Sequence, residues 1–119
     1  MLVLYASETG NAQDCAELIG RQAKARGLSD VRVLAADAYL SSAIDRLPRE
    51  DVLVCVASTT GQGEFPNNGR AFWKYLRRRA LPADLLGSVR CAVFGLGDSG
   101  YPKYNYCAKL LSKRFETLG

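Results

Sequence analysis

The sequence predicts an α/β fold of three layers, a doubly wound parallel sheet with helices on both faces. Short apolar runs alternate along the 119 residues with segments whose apolar side chains recur at helical spacing. This alternation is typical of parallel sheets, in which a helix returns the chain from the end of one strand to the start of the next. Because the length suits one modest core, we expect residues 1–119 to form a single domain.

The first half of the chain predicts two strand–helix units. Residues 2–6 are an apolar run, and residues 12–26 carry apolar side chains at helical spacing. Residues 31–36 predict the second strand. A weaker pattern over residues 41–47 predicts a short helix that Pro48 closes.

The second half predicts two further units. Residues 51–57 are nearly all apolar, as expected for a central strand buried on both faces. Residues 89–95 predict the fourth strand, and helices are expected over residues 69–79 and 104–118. We expect the inward faces of these helices to be Phe72, Trp73 and Leu76 in the first, and Tyr104, Ala108, Leu111, Phe115 and Leu118 in the second.

The number of strands sets an expectation for the sheet. A common doubly wound order is 2-1-3-4-5, and this chain ends at Gly119, where a turn into strand five is expected. Strand four would then lie at an edge with one unpaired ladder. We therefore expect a domain truncated at its C-terminus, with the fifth strand missing from this chain.

Composition argues against several kinds of site. The chain has no histidine, and its four cysteines include no Cys-x-x-Cys pair, which argues against a zinc site or iron–sulfur cluster within it. Cys55 and Cys91 lie in apolar runs, so we expect buried, reduced thiols and a cytoplasmic location. Because no apolar run approaches the roughly 20 residues that span a bilayer, we expect no membrane partner.

The net charge of +4 raises the possibility of nucleic-acid binding, which we do not expect. Many cations are predicted at C-terminal halves of helices, where they complement the helix dipole. These are Arg21, Lys24, Arg26, Arg77, Arg78, Arg79, Lys109, Lys113 and Arg114. The opposite edge of the sheet carries more acidic residues, which predicts a mildly acidic face toward a redox partner. Its charged residues are Glu8, Asp14, Glu64 and Asp98 against Lys103.

The loop after the first strand suits a phosphate group. It consists of Ser7, Glu8, Thr9, Gly10, Asn11 and Ala12. Its short polar side chains can donate hydrogen bonds, Gly10 lets the backbone approach closely, and the following helix offers unpaired N–H groups. A plain helix cap by Thr9 or Asn11 would use the same groups, so this loop alone leaves both interpretations open.

The loop after the third strand consists of Ser58, Thr59, Thr60, Gly61, Gln62 and Gly63. Its glycines allow a backbone that presents N–H and C=O groups to the edge of a heterocycle, although a purely structural crossover is the alternative. Asn67 or Asn68 is expected to cap the helix that follows.

The loop after the fourth strand offers an aromatic ring to a flat ligand. It consists of Leu96, Gly97, Asp98, Ser99, Gly100, Tyr101, Pro102, Lys103, Tyr104 and Asn105. Tyr101 is the candidate for stacking, while Tyr104 also fits the stripe of the last helix. All three loops would emerge at the carboxyl edge of the sheet, where such folds bind ligands. A phosphate site beside a flat-ligand site indicates flavin mononucleotide (FMN).

The three motifs together resemble a known family. They read Ser-x-Thr-Gly-x-Ala, Thr-Thr-Gly-Gln-Gly and Gly-Leu-Gly-Asp-Ser-x-Tyr-x-x-x-Asn, and they are similar to the FMN domain of diflavin reductases such as cytochrome P450 reductase. Thr59 to Gly63 and the stretch from Phe72 to Pro82 most resemble the NADPH-dependent diflavin oxidoreductases of cytosolic iron–sulfur protein assembly.

The resemblance implies a flavodoxin-like fold and a role for each loop. Ser7 to Ala12 would hold the FMN phosphate, and Ser58 to Gly61 would flank the isoalloxazine. Leu96 to Asn105 would bind the ribityl chain and the ring, with Tyr101 stacked on one face. The sequence departs from the family at Thr60, where many relatives carry an aromatic residue, and at Gly100, where serine is common.

The resemblance also implies an electron path. In the full enzyme, electrons would pass from NADPH through FAD to FMN and on to an iron–sulfur protein of the anamorsin type, with FAD and NADPH on a reductase module absent from this chain. No side chain need act as acid, base or nucleophile. The alternatives are a free-standing flavodoxin, another diflavin reductase, a flavin-free phosphoacceptor domain, and a structural remnant without cofactor.

Overall fold

A computed structural model describes residues 1–7, 10–58, 65–78, 81–96 and 106–119. The strands are β1 (Leu2–Ala6), β2 (Arg32–Ala35), β3 (Val52–Ser58) and β4 (Arg90–Leu96). The helices are α1 (Asn11–Ala25), α2 (Ala36–Ala43), α3 (Arg70–Leu76) and α4 (Tyr106–Thr117). Two 3₁₀ helices, Ile44–Arg49 and Asn67–Gly69, precede β3 and α3 respectively. Within the described ranges no helix is both long enough and apolar enough to cross a membrane.

The sheet confirms the predicted order. Its four described strands are all parallel and run β2-β1-β3-β4 from edge to edge. β3 lies between β1 and β4, and Leu53 to Ala57 are buried, which explains its nearly uninterrupted apolar sequence. β4 is the edge strand, as expected, and most of its residues are exposed or half-buried.

Helices cover both faces of the sheet, because alternate side chains of a strand point to opposite faces. On one face, α1 packs its small residues Ala12 and Ala16 onto Val3, Val54 and Val56. On the other face, α2, α3 and α4 enclose the larger core. Its buried helix residues include Ala36 and Tyr39 from α2, Phe72 and Leu76 from α3, and Cys107, Leu111 and Phe115 from α4.

The predictions for α3 and α4 are largely confirmed. Phe72 and Leu76 are buried, while Trp73 is half-buried and stacks on Phe65 at 5.0 Å between ring centroids. In the last helix, the predicted inward residues Ala108, Leu111, Phe115 and Leu118 are all buried. Tyr104 lies outside the described residues.

The prediction for α2 was wrong in its bounds. The helix begins at Ala36, directly after β2, and the segment around Pro48 is a 3₁₀ helix rather than a helix end. No loop residue separates β2 from α2, because Ala35 keeps an extended backbone (φ −62°, ψ 144°) and Ala36 is already helical. A 3₁₀ helix accommodates Pro48 because its φ lies near the value that the proline ring fixes.

One cysteine was also placed wrongly. Cys55 is 3% exposed in the middle of β3, as expected, but Cys91 is exposed. The two residues have similar apolar neighbours in sequence, but they differ in position in the sheet. Cys91 lies at the start of the edge strand, where the groove toward Phe115 and Glu116 of α4 is open.

Candidate functional site

The three strands that lead into the predicted site loops end side by side at one edge of the sheet. Ala6 is paired with Ala57, Ala57 with Gly95, and Ser58 with Leu96. Neighbouring strands lie about 4.8 Å apart, so the ends of β1, β3 and β4 together span roughly 10 Å along the edge of the sheet. The strand register thus brings together the segments that follow β1, β3 and β4.

The structure describes six of the predicted site residues: Ser7, Gly10, Asn11, Ala12, Ser58 and Leu96. The others lie outside the described residues: Glu8, Thr9, Thr59, Thr60, Gly61, Gln62, Gly63, Gly97, Asp98, Ser99, Gly100, Tyr101, Pro102, Lys103, Tyr104 and Asn105. Ser58 and Leu96 are half-buried as the last residues of β3 and β4. Most of the described site residues therefore belong to the turn between β1 and α1.

Ser7 ties that turn to the start of α1. Its Oγ accepts hydrogen bonds from the backbone N–H of Gly10 at 2.8 Å and of Ala12 at 3.3 Å. A hydroxyl has two acceptor lone pairs and one O–H donor, so the O–H of Ser7 remains to be donated elsewhere. Asn11 is the first helical residue and Gly10 is the N-cap, so Asn11 does not form the cap that the alternative interpretation of this loop allowed. Thr9, the other predicted cap, lies outside the described residues.

Gly10 leaves space in front of the helix. It has a left-handed backbone (φ 92°, ψ −8°), and a Cβ built there would have no described atom within 4 Å. The first N–H groups of an α-helix lack intrahelical acceptors and carry the positive end of the dipole. An open glycine, a hydroxyl donor and a helix N-terminus together fit a phosphate group.

Residue Ala12 contributes its backbone rather than its side chain. The side chain is fully buried against the sheet, while the N–H points back to Ser7. Packing of Ala12 and Ala16 on Val3 holds α1 close to β1. The small side chains of α1 therefore fix how near the helix N-terminus comes to the end of the strand.

The 3₁₀ helix before α3 lies against the same turn. Asn68 accepts a hydrogen bond from the backbone N–H of Ser7 (2.7 Å from N to Oδ1). The expectation that Asn67 or Asn68 caps α3 was wrong, because the N-cap of α3 is Gly69. The N–H groups of Phe72 and Ala71 instead donate to the carboxylate of Asp37 at 2.9 and 3.4 Å.

Sequence reasoning missed the roles of Asp37 and Asn68. Both contacts join residues more than 30 positions apart, so no local spacing indicates them. The two asparagines after Pro66 indicated that a side chain at the end of this loop makes a hydrogen bond. The sequence did not indicate that Ser7 is the residue it bonds.

A buried polar cluster lies at the opposite, amino edge of the sheet. Tyr39 donates a hydrogen bond to Glu50 (2.8 Å from Oη to Oε2), and Arg32 forms an ion pair with the other oxygen of Glu50. Burial, together with the hydrogen bond to Glu50, raises the pKa of Tyr39. The cluster joins the starts of β2 and β3 to α2, so its role is structural.

The basic residues at helix ends are partly explained by the structure. The guanidinium of Arg114 on α4 donates to the carbonyl oxygens of Leu76 and Arg78 at the end of α3. The side chain of Arg77 lies 5.8 Å from the ring centre of Trp73. The contact of Arg114 with the last carbonyl oxygens of α3 is of the kind that complements a helix dipole. Of the residues predicted to make the opposite edge acidic, the described Asp14 is exposed on α1.

Comparisons with known proteins agree with this arrangement. The chain is 53% identical to NADPH-dependent diflavin oxidoreductase 1 of Danio rerio and 52% identical to that of Arabidopsis thaliana. Each match covers all of this chain but 19% of the relative, so the chain spans about a fifth of the length of these relatives.

Solved structures give the same fold. A point mutant of flavodoxin from Pseudomonas aeruginosa superposes with a TM-score of 0.80 at 28% identity, covering 99% of this chain and 75% of that chain. Flavodoxin 2 from Bacillus cereus superposes with a TM-score of 0.80 at 24% identity and the same coverage, which shows the fold. The flavodoxin family model matches residues 3–119. The chain therefore belongs to the flavodoxin family.

Proposed function

We propose that this chain is the FMN-binding electron-transfer domain of an NADPH-dependent diflavin oxidoreductase. The observation that carries the proposal is the turn between β1 and α1, where Ser7 accepts the N–H of Gly10 and Gly10 leaves open space, a cradle for the phosphate at the edge where β3 and β4 also end. FMN is the cofactor of the flavodoxin domain. The names of the relatives supply the class of enzyme.

Each loop has its own part in holding the cofactor. The segment Ser7–Ala12 holds the phosphate through N–H and hydroxyl donors, without a lysine or arginine between residues 1 and 20. The segment Ser58–Gly61 flanks the isoalloxazine ring, and the segment Leu96–Asn105 binds the ribityl chain and ring, with Tyr101 stacked on one face. When bound, FMN supplies the redox chemistry, and the protein supplies position and electrostatics.

In the complete protein, FAD and NADPH bind to a reductase module that this chain does not contain. Electrons leave through this domain to an iron–sulfur protein of the anamorsin type, in the cytoplasm. Residues 1–119 act as one domain, and nucleic acid is not a partner. The identity above 50% to two relatives named for the diflavin activity supports the NADPH and FAD part of this path.

A visible absorption spectrum tests the proposal. The purified chain is incubated with FMN, desalted and scanned, and we expect flavin bands at near-stoichiometric level. Ser7→Ala removes the hydroxyl from the cradle and should weaken FMN binding by about tenfold, the order expected for one charge-assisted hydrogen bond. Ser42→Ala is the matched control, because Ser42 donates to Ala38 on the exposed side of α2. Loss of all flavin by the unmodified chain would contradict the proposal.

A free-standing flavodoxin is the second candidate, favoured by the superposition on the flavodoxin of Pseudomonas aeruginosa. The FMN-loaded chain is mixed with NADPH and the separately purified reductase part of the Danio rerio relative. Reduction of the flavin within seconds is expected of a diflavin domain, whose natural donor is such a module. Reduction by ferredoxin reductase instead would support the free-standing carrier.

A further inference from the structure

Asn68, in the 3₁₀ helix between β3 and α3, is joined to the first site loop through one contact. Its side-chain Oδ1 lies 2.7 Å from the backbone N of Ser7, across 61 positions of sequence. Both residues are half-buried, so the bond is partly shielded from water. A residue of the 3₁₀ helix before α3 therefore holds the residue that begins the first site loop.

The backbone around Asn68 is held by contacts within the chain. The next residue, Gly69, lies so close to β1 that a Cβ built on it would be 2.5 Å from the Cβ of Ala6. The N–H of Gly69 donates to the carbonyl of Pro66 at 2.9 Å, closing the 3₁₀ turn. The side chain of Arg70 also donates to the carbonyl of Phe65 at 2.8 Å. Asn68 thus reaches Ser7 from a turn that these contacts hold against β1.

Ser7 is the residue on which the cradle depends. Its Oγ accepts the N–H groups of Gly10 and Ala12, and its own N–H is taken by Asn68. With these bonds made, the backbone of Ser7 is held at one end and its side chain at the other. Both bonds use acceptor lone pairs of the Oγ, so the hydroxyl of Ser7 keeps its O–H as a donor.

We infer that Asn68 is a positioning residue for the phosphate group of the flavin, acting through Ser7 and not by touching the ligand. This inference rests on the proposed function. The amide oxygen of Asn68 sets the orientation of Ser7, and Ser7 in turn sets the donors that face the phosphate. The contact lies on the residue that begins the proposed phosphate loop, so we expect the effect of Asn68 to fall on the phosphate end of the ligand.

Riboflavin, which has the ring and ribityl chain but no phosphate, separates this role from general loss of structure. Titrations of the purified chain with FMN and with riboflavin, followed by flavin fluorescence, give both dissociation constants. In Asn68→Ala, FMN binding should weaken by about tenfold, the order of one hydrogen bond, while riboflavin binding stays within about twofold. Tyr39→Phe is the control, since it loses a buried hydrogen bond at the opposite edge and should leave the ratio of the two constants unchanged.

Hydrogen exchange of the Ser7 amide, followed by NMR without flavin, gives a second readout. The amide should exchange at least about tenfold faster in Asn68→Ala, and Asn68→Asp should keep its protection because a carboxylate oxygen also accepts the bond. Equal weakening of FMN and riboflavin, or unchanged exchange at Ser7, would overturn the inference. Failure of the unmodified chain to bind FMN would instead contradict the proposed function, and the exchange result would still show whether Asn68 holds Ser7.

Discussion

Gly69 shows how a single missing Cβ sets the distance between a loop and a strand. The backbone conformation of Gly69 is one that residues with side chains also adopt, because its φ is not positive. Gly10, by contrast, has φ 92°. What excludes a side chain at Gly69 is the Cβ of Ala6, 2.5 Å from the position that its own Cβ would take. The two glycines at this edge are therefore required for different reasons, contact in one case and conformation in the other.

The first prediction concerns that contact. Gly69→Ala should lower the free energy of unfolding by about 1–3 kcal/mol, because the added methyl overpacks against Ala6. Combining it with Ala6→Gly removes the clashing Cβ, so the double variant should lose less than the sum of the two single variants. Urea denaturation of all four proteins measures this coupling. Additive losses would mean that the two residues are not in contact.

The second prediction concerns Tyr39, whose pKa is raised by burial and by its hydrogen bond to Glu50. A tyrosine in the unfolded chain titrates near pH 10, and the folded state favours the protonated form. The stabilisation is therefore complete below about pH 10 and is lost as the pH rises above that value. Urea denaturation between pH 8 and 11 should show a steeper loss for the unmodified chain than for Tyr39→Phe. Parallel curves would contradict the raised pKa.

At the scale of elements, the strands were predictable because each carries its own signal. The apolar runs near residues 2–6, 51–57 and 89–95 are visible in sequence, and their bounds in the structure differ by one residue or none. The start of α2 was not predictable, since Ala36 follows β2 without a turn residue. Its position is explained by tertiary contacts, the burial of Tyr39 and the bonds of Asp37 to α3.

The third prediction tests the cap that α2 provides for α3. Asp37→Ala removes the carboxylate that accepts the N–H groups of Phe72 and Ala71, and should lower the free energy of unfolding by about 1 kcal/mol. Asp37→Asn keeps an acceptor but loses the charge at the helix N-terminus, so an intermediate loss is expected. Thermal or urea unfolding measures both.

Asp45→Ala is the control for this prediction. Asp45 is exposed in the 3₁₀ helix that follows α2, and its removal should change stability by less than about 0.5 kcal/mol. A loss for Asp45→Ala equal to that for Asp37→Ala would show that charge alone, and not the cap, is responsible.

At the scale of the whole molecule, strand order and the position of the site were predictable together. Both rest on the carboxyl edge of a parallel sheet, where successive loops must meet. The exposure of Cys91 was not predictable from its neighbours, because Cys55 and Cys91 both lie in apolar runs. The difference between them is created by the sheet, which places β3 between two strands and leaves β4 at the edge.

The fourth prediction uses these two thiols to read the strand order in solution. Iodoacetamide should modify Cys91 in the native state, and modify Cys55 at a rate set by unfolding, since Cys55 is 3% exposed in β3. Although Cys91 is exposed, partial burial of its thiol raises the pKa of that thiol, so its labelling rate should keep increasing above pH 8.5, where an ordinary thiol is about half ionised. Peptide mapping by mass spectrometry assigns each site.

If Cys91 were protected as strongly as Cys55 at low protein concentration, β4 would be covered along its edge and the observed order would be incomplete. Protection that appears with rising concentration would show instead that the exposed edge pairs with a second copy, as unpaired edge strands are prone to do.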